Sequence, residues 1–377
     1  MKIGIVLYPT YGGSGVVATE LGKALADKGH EIHFVTYSQP VRLGSFRKNI
    51  FYHEVSVSDY PLFEFQPYET VLASKLVDVV KYEKLDLLHV HYAIPHASAA
   101  YMAKQILKTQ GIEIPFITTL HGTDITLVGK DQSFEPVITF CINQSDGVTA
   151  VSDSLRKDTY NHFGTEREIH VIPNFIDSLP EIKPIDMEVR RMYAKDEEKI
   201  ITHTSNFRKV KRIEDVVSIF HKINLEVPSK LLLAGDGPDR SLAERMAREL
   251  DICDKVVFIG KVRDTSNVLE ISDLFLLPSE TESFGLAALE AMAVGVPVIS
   301  TNTGGIPEVN IHGYSGYLSY VGDTEDMAKN ALILLKDEEK LSVFKKNALE
   351  RAKDFSIDKV LPMYEELYES VLVKKVV

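Results

Sequence analysis

Twice along this chain, short apolar runs alternate with amphipathic helical stretches, and that alternation restricts the fold more than any other feature. Strands joined through helices pair in parallel, and a long series of such units makes a sheet with helices on both faces. The first series opens with a strand from Ile3 to Tyr8, a loop from Pro9 to Gly15 and a helix from Val16 to Lys28. Val17, Leu21 and Leu25 share one face of that helix, Gly29 caps it, and Glu31 to Thr36 reads as the next strand. Further strands fit 85–91, 116–120, 147–150 and 170–172, with the clearest helices over 70–82 and 96–108. Residues 173–199 break the alternation with Pro173, Pro180, Pro184 and many charges, as a crossing between domains would. A second series then runs from a strand at 199–204 to helices over 324–335 and 338–353. The tail places Ile357, Val360, Leu361, Tyr364, Leu367 and Val371 at helical spacing.

The expected class is therefore α/β, with two doubly wound Rossmann-like domains facing across a cleft. Ligands of such sheets sit at the carboxyl ends of the strands. A length of 377 residues supports two cores, and a formal charge of −12 argues against nucleic acid as a partner. Cys141 and Cys253 both have apolar neighbours and are expected as buried thiols of a reducing compartment. Met1-Lys-Ile-Gly-Ile runs into the first strand without a signal-peptide pattern, and no apolar run approaches the ~18 residues of a membrane span. A cytoplasmic location and no stable membrane association are expected, and a homo-oligomer is left open.

The stretch Pro278–Ser300 holds the most chemistry. A buried strand ends at Pro278, a polar loop carries Glu282, and strong helix formers run from Leu286 to Ala293. Ser283, Phe284, Gly285 and Leu286 form the helix entrance, where free amides and the dipole favour a phosphate. Glu290 lies inside the helix. Two carboxylates so placed are either an acid/base pair of the kind that hydrolyses glycosides or acceptors for sugar hydroxyls. Their position beside a phosphate-accepting helix start favours the second. Arg208, Lys209, Lys211 and Arg212 crowd the loop after the first strand of the second series, where a pyrophosphate would lie. Gly235-Asp-Gly-Pro238 suits a backbone passing close to a ligand, and Gly260-Lys-Val262 could offer main-chain groups to a base.

In the first series, Gly12-Gly13-Ser14-Gly15 makes a tight turn or an anion site on backbone amides. His89 and His91 share a strand face, and without an evident third ligand they are expected to pack or hydrogen-bond rather than hold a metal. Tyr92 follows at the strand end. His121-Gly122-Thr123-Asp124 ends another strand, from which His121 could donate to a substrate oxygen.

Together these residues resemble the retaining glycosyltransferases of family 4, which have the GT-B architecture. The glycine loop, His121–Asp124, the Lys211 loop, Gly235–Pro238 and the Glu282/Glu290 pair around Ser-Phe-Gly-Leu carry the resemblance over nearly the whole chain. It implies an acceptor-binding domain over 1–175, joined by a helix over 356–377 that crosses back, and a nucleotide-sugar domain over 176–355. It puts the donor diphosphate on Lys211 and the 284–286 amides, the ribose on Glu290, and the transferred sugar on Glu282 and His121. Lys211, His121 and Glu282 are thereby the expected catalytic groups. Gly13, Asn206, Arg208, Gly235, Val262, Ser283, Phe284, Gly285 and Leu286 complete the donor site with Glu290. Asn206 stands where the family usually has Arg, so Arg208 or Arg212 is expected to supply that charge. Segments 90–96, 119–126, 205–212 and 303–309 resemble the branch of the family that begins bacillithiol biosynthesis. That resemblance implies UDP-N-acetylglucosamine as donor and L-malate as acceptor, and no metal or other cofactor is expected where cations and helix dipoles stabilise the leaving diphosphate. Gly13, Ser14, Gly15, Tyr92, Thr123 and Lys130 are the expected acceptor residues. Rival expectations are a lipid or polysaccharide acceptor, for which 42–48 is the one basic candidate patch, and an epimerase or sugar-nucleotide binder of the same architecture.

Overall fold

A computed structural model carries the chain, of which residues 1–10, 12–44, 47–57, 65–127, 129, 131–177, 185–262 and 264–374 are described. It divides into two units, Met1–Asp177 with Ile357–Val377, and Ser178–Ser356.

The first unit holds a seven-stranded parallel sheet. Its strands are β1 (Lys2–Val6), β2 (Glu31–Thr36), β3 (Ile50–Glu54), β4 (Leu87–His91), β5 (Phe116–Leu120), β6 (Gly147–Ala150) and β7 (Ile169–Val171). Their order, β3-β2-β1-β4-β5-β6-β7, reverses direction between β1 and β4. Every residue of β4, β5 and β6 is buried, as continuous apolar runs covered on both faces should be. The strand β3 has no counterpart among the expected strands. Ile50-Phe-Tyr-His-Glu is a half-exposed edge strand, and its polar, aromatic composition gives no apolar run to read.

The helix Ile357–Lys374 belongs to this first unit although the whole second unit separates it from the rest in sequence. Tyr364 and Tyr368 are its fully buried anchors. The Tyr368 hydroxyl lies 2.7 Å from Nδ1 of His89 on β4, and Glu365 accepts from His30 at 3.1 Å. His89 also bonds Thr119 Oγ1 at 2.7 Å, which bears out its expected role in packing and hydrogen bonding.

The second unit repeats the plan with β8 (Lys199–Ser205), β9 (Ser229–Gly235), β10 (Val256–Gly260), β11 (Leu274–Leu277), β12 (Val298–Thr301) and β13 (Gly316–Ser319). The order is β10-β9-β8-β11-β12-β13, all parallel, reversing between β8 and β11. The helix Ile213–Asn224 sets Ile213, Val216, Val217, Phe220 and Ile223 into a core with Leu231, Leu233, Leu274 and Leu276. Each such side chain contributes roughly 1.5–3 kcal/mol on burial.

One cysteine corrects the sequence-based expectation. Cys141 is buried, but Cys253 is exposed. It opens the short turn Cys253–Lys255, and Ile252 and Val256 on either side take the inward positions.

Candidate active site

In the second unit the order reversal between β8 and β11 brings together two loops that lie far apart in sequence. Lys211 follows β8 in a short turn, Lys209–Lys211, and Glu282 lies in the loop after β11. Lys211 Nζ donates to Glu282 Oε2 at 2.5 Å, across 71 residues of chain. Both side chains are mostly buried, at 22% and 16% exposure. The same loops are stitched by Glu280 N to Val210 O, 2.8 Å. Asn206, Arg208, Gly235, Val262 and the 283–286 segment also sit at carboxyl ends of strands in this sheet. Arg208 is exposed, whereas Arg212 is committed to Asp215 at 2.6 Å, so Arg208 is the better placed of the two to take up an added charge.

The helix Leu286–Ala293 starts at Gly285, whose φ of 99° only glycine adopts without strain. Phe284 is buried against Phe355, which leaves its backbone rather than its side chain for a ligand. Glu290 accepts from Thr265 Oγ1 at 3.1 Å, tying the helix to the loop after β10. Gly235 also meets a steric demand within the sheet. A Cβ there would lie 1.8 Å from the carbonyl oxygen of Ser205, its partner at the end of β8, and φ is 127°, so only glycine fits without strain.

The first unit uses its own reversal point in the same way. The helix Gly13–Asp27 begins after β1, and Tyr92 follows β4; the Tyr92 hydroxyl donates to Ser14 Oγ at 2.6 Å. Tyr92 holds φ at 87°, a strained conformation for a non-glycine residue of the kind that concentrates at functional sites. Gly15 is required because a Cβ would stand 2.5 Å from the Tyr8 carbonyl. The Tyr92 ring lies 5.2 Å from that of His121, and Thr123 is exposed beside them in sequence. Lys130 falls outside the described residues.

Asp124 has a task that the sequence does not reveal. Its buried carboxylate accepts from the amides of Ala93 at 2.9 Å, Gly122 at 3.1 Å and His121 at 3.3 Å, clasping the ends of β4 and β5 together. Burial outweighs those bonds and raises its pKa to about 6. Its partners are all backbone groups, so no side-chain motif could announce it. Burial also holds the His121 imidazole neutral, with its pKa lowered to about 3.

Among the described residues, His33, His53 and Glu83 are grouped closely enough to suggest a cation site. The two rings instead bond each other, Nδ1 to Nε2, at 2.9 Å, and the second nitrogen of His33 meets Glu31 at 3.1 Å. In the basic stretch 42–48, Arg47 is held by Asp27 and the Lys23 carbonyl, and residues 45 and 46 lie outside the described set.

Residues 11–178 match the model of "Glycosyltransferase Family 4" and residues 187–351 that of "Glycosyl transferases group 1". The N-acetyl-alpha-D-glucosaminyl L-malate synthase of Bacillus anthracis is 50% identical over 99% of this chain and 97% of its own length. The chain belongs to glycosyltransferase family 4. A more distant relative is the alpha-monoglucosyldiacylglycerol synthase of Streptococcus pneumoniae, 26% identical over 80% of this chain and 71% of its own. Among solved structures, HepE of Anabaena in complex with UDP and glucose superposes with a TM-score of 0.81 at 19% identity, over 98% of this chain and 100% of that one. Sucrose-phosphate synthase of Thermosynechococcus elongatus gives 0.81 at 20% identity, over 99% and 100%. These likenesses make the fold that of the GT-B glycosyltransferases, two Rossmann-like domains. Among the described residues no helix is long and apolar enough to cross a membrane.

Proposed function

We propose that this protein is a retaining glycosyltransferase that moves N-acetylglucosamine from UDP-N-acetylglucosamine to the hydroxyl of L-malate, the first step of bacillithiol biosynthesis. The observation that carries it is the 50% identity, over nearly the full length of both chains, to a protein named for that product. The paired Lys211 and Glu282 support it from the structure, since they join a cation and a sugar-hydroxyl acceptor at the reversal point of the second sheet.

In this reading the second unit holds the donor. The diphosphate lies on Lys211, Arg208 and the 284–286 amides, the ribose on Glu290, and the transferred sugar on Glu282 and His121. The first unit holds the acceptor through Gly13, Ser14, Gly15, Tyr92 and Thr123, with Lys130 as a charge partner. The malate hydroxyl attacks the anomeric carbon on the face that the diphosphate leaves. The bond to the phosphate oxygen breaks as the new glycosidic bond forms, and the hydroxyl proton passes to that phosphate oxygen. Lys211 and the helix amides stabilise the developing charge, so no metal ion is needed. The reaction runs in the cytoplasm without nucleic acid or a stable membrane partner.

The test incubates the pure protein with UDP-N-acetylglucosamine and a panel of small hydroxy acids, without added metal and with chelator, and reads products by mass spectrometry. N-Acetylglucosaminyl malate is expected. A glycoside of another acid, or of lipid only, would overturn the assigned acceptor, and UDP-N-acetylglucosamine turned over without acceptor would overturn the transferase.

A further inference from the structure

Four buried histidines crowd the ends of β4 and β5: His89, His91, His96 and His121. Burial keeps each of them neutral. A neutral imidazole has one N–H donor and one bare nitrogen acceptor, so each hydrogen bond settles two atoms at once. His96 Nδ1 lies 2.5 Å from the His91 carbonyl oxygen, which can only accept. Its hydrogen is therefore on Nδ1, and the partnerless His96 Nε2 is a bare lone pair.

His91 poses the same question with more consequence. Its Nδ1 lies 2.8 Å from His121 Nε2, and its own Nε2 is buried without a partner. If the hydrogen sat on Nε2, a buried N–H would be orphaned, which native interiors avoid more strictly than an unused acceptor. The hydrogen belongs on Nδ1, from which His91 donates to His121 Nε2. His121 must then carry its own hydrogen on Nδ1.

We propose that His91 is a positioning residue that fixes His121 as the Nδ1–H tautomer, so that any bond His121 makes through its second nitrogen is one it donates. A donor is what a hydroxyl oxygen of the transferred sugar can accept from a neutral imidazole, and a ring free to take either tautomer would present a lone pair half the time. The catalytic consequence rests on the proposed role of His121 at the transferred sugar; the tautomer itself does not.

The test has a spectroscopic arm and a kinetic arm. Full-length protein labelled with ¹⁵N-histidine, with His121 assigned through a His121→Asn variant, should show a protonated, pyrrole-type Nδ1 and a bare, pyridine-type Nε2. The reverse pattern at His121 overturns the inference whatever the substrates are. In the kinetic arm, His91→Leu should lower kcat for N-acetylglucosamine transfer roughly tenfold, the value of one hydrogen bond, with KM for the donor changed less than about twofold. His91→Gln, whose amide N–H can still donate, should recover most of the loss. Unchanged kcat in His91→Leu, or equal loss in both variants, overturns the positioning role. The expected spectrum from a protein that transfers no N-acetylglucosamine would uphold the tautomer and fault the proposed function instead.

Discussion

Replacing Lys211 with Ala separates the stability of the second unit from its chemistry. Lys211 and Glu282 meet at 2.5 Å with about a fifth of each side chain exposed. At an effective dielectric near 20 and a charge separation of ~3 Å, the gross attraction is about 5–6 kcal/mol. Desolvation and side-chain ordering cancel most of it, which leaves a net ~1 kcal/mol for a pair that still touches solvent. In a unit of this size that corresponds to a fall in Tm of about 2–4 °C. The chemical loss should be much larger. If the ammonium stabilises charge on the leaving diphosphate, its removal lowers kcat by roughly 10²–10³-fold, or about 2.7–4 kcal/mol. The assay pairs differential scanning calorimetry with acceptor-dependent UDP release at saturating donor. A Lys211→Ala enzyme within about threefold of the parent kcat would refute the assignment. A Tm drop large enough to unfold the protein at the assay temperature would show that the ion pair is structural first. Lys211→Arg should restore most of the stability and only part of the rate, because a planar guanidinium cannot reproduce a compact ammonium.

Three further outcomes follow from named contacts. Glu290→Ala should weaken UDP binding about tenfold by calorimetric titration, the worth of a hydrogen bond to a charged acceptor, and unchanged affinity would remove it from the ribose. Gly235→Ala should destabilise the second unit by several kcal/mol rather than merely impair binding, because a Cβ would strike the Ser205 carbonyl at 1.8 Å; a soluble variant with a parental melting curve would contradict the geometry. Asp124 makes stability pH-dependent in a direction that can be fixed in advance. Its folded pKa of about 6 stands above the ordinary unfolded value of ~3.9. Its contribution is therefore complete below pH ~4 and declines as pH rises through about 6, by roughly 3 kcal/mol in all. Denaturant titrations of the parent against Asp124→Asn at pH 5 and 8 should show the parent losing ground at the higher pH.

What could be read from the sequence was whatever repeats. Alternating runs such as Leu87–His91 and Leu274–Leu277 disclosed two parallel sheets, and residue types at strand ends disclosed most of the candidate site. The pairing of Lys211 with Glu282 could be anticipated only through the rule that doubly wound sheets gather ligands where their order reverses. Asp124 escaped because backbone amides leave no trace in a sequence. The edge strand Ile50–Glu54 leaves no such trace because none of its residues is fully buried, and Cys253 departs from expectation because apolar neighbours in sequence need not be neighbours in space.

The return of the helix Ile357–Lys374 to the first unit sets an order of events during synthesis. The ribosome releases residues 1–177 long before Tyr364 and Tyr368 exist to fill their places beside β4 and His89. Until then the strip of the first sheet that this helix covers stands open to solvent. The second unit is continuous in sequence and can close as soon as it emerges. The part of the chain made first is thus the last to be finished. A nascent chain stalled before residue 357 should expose that strip to chaperones, while its second unit is already protected from protease.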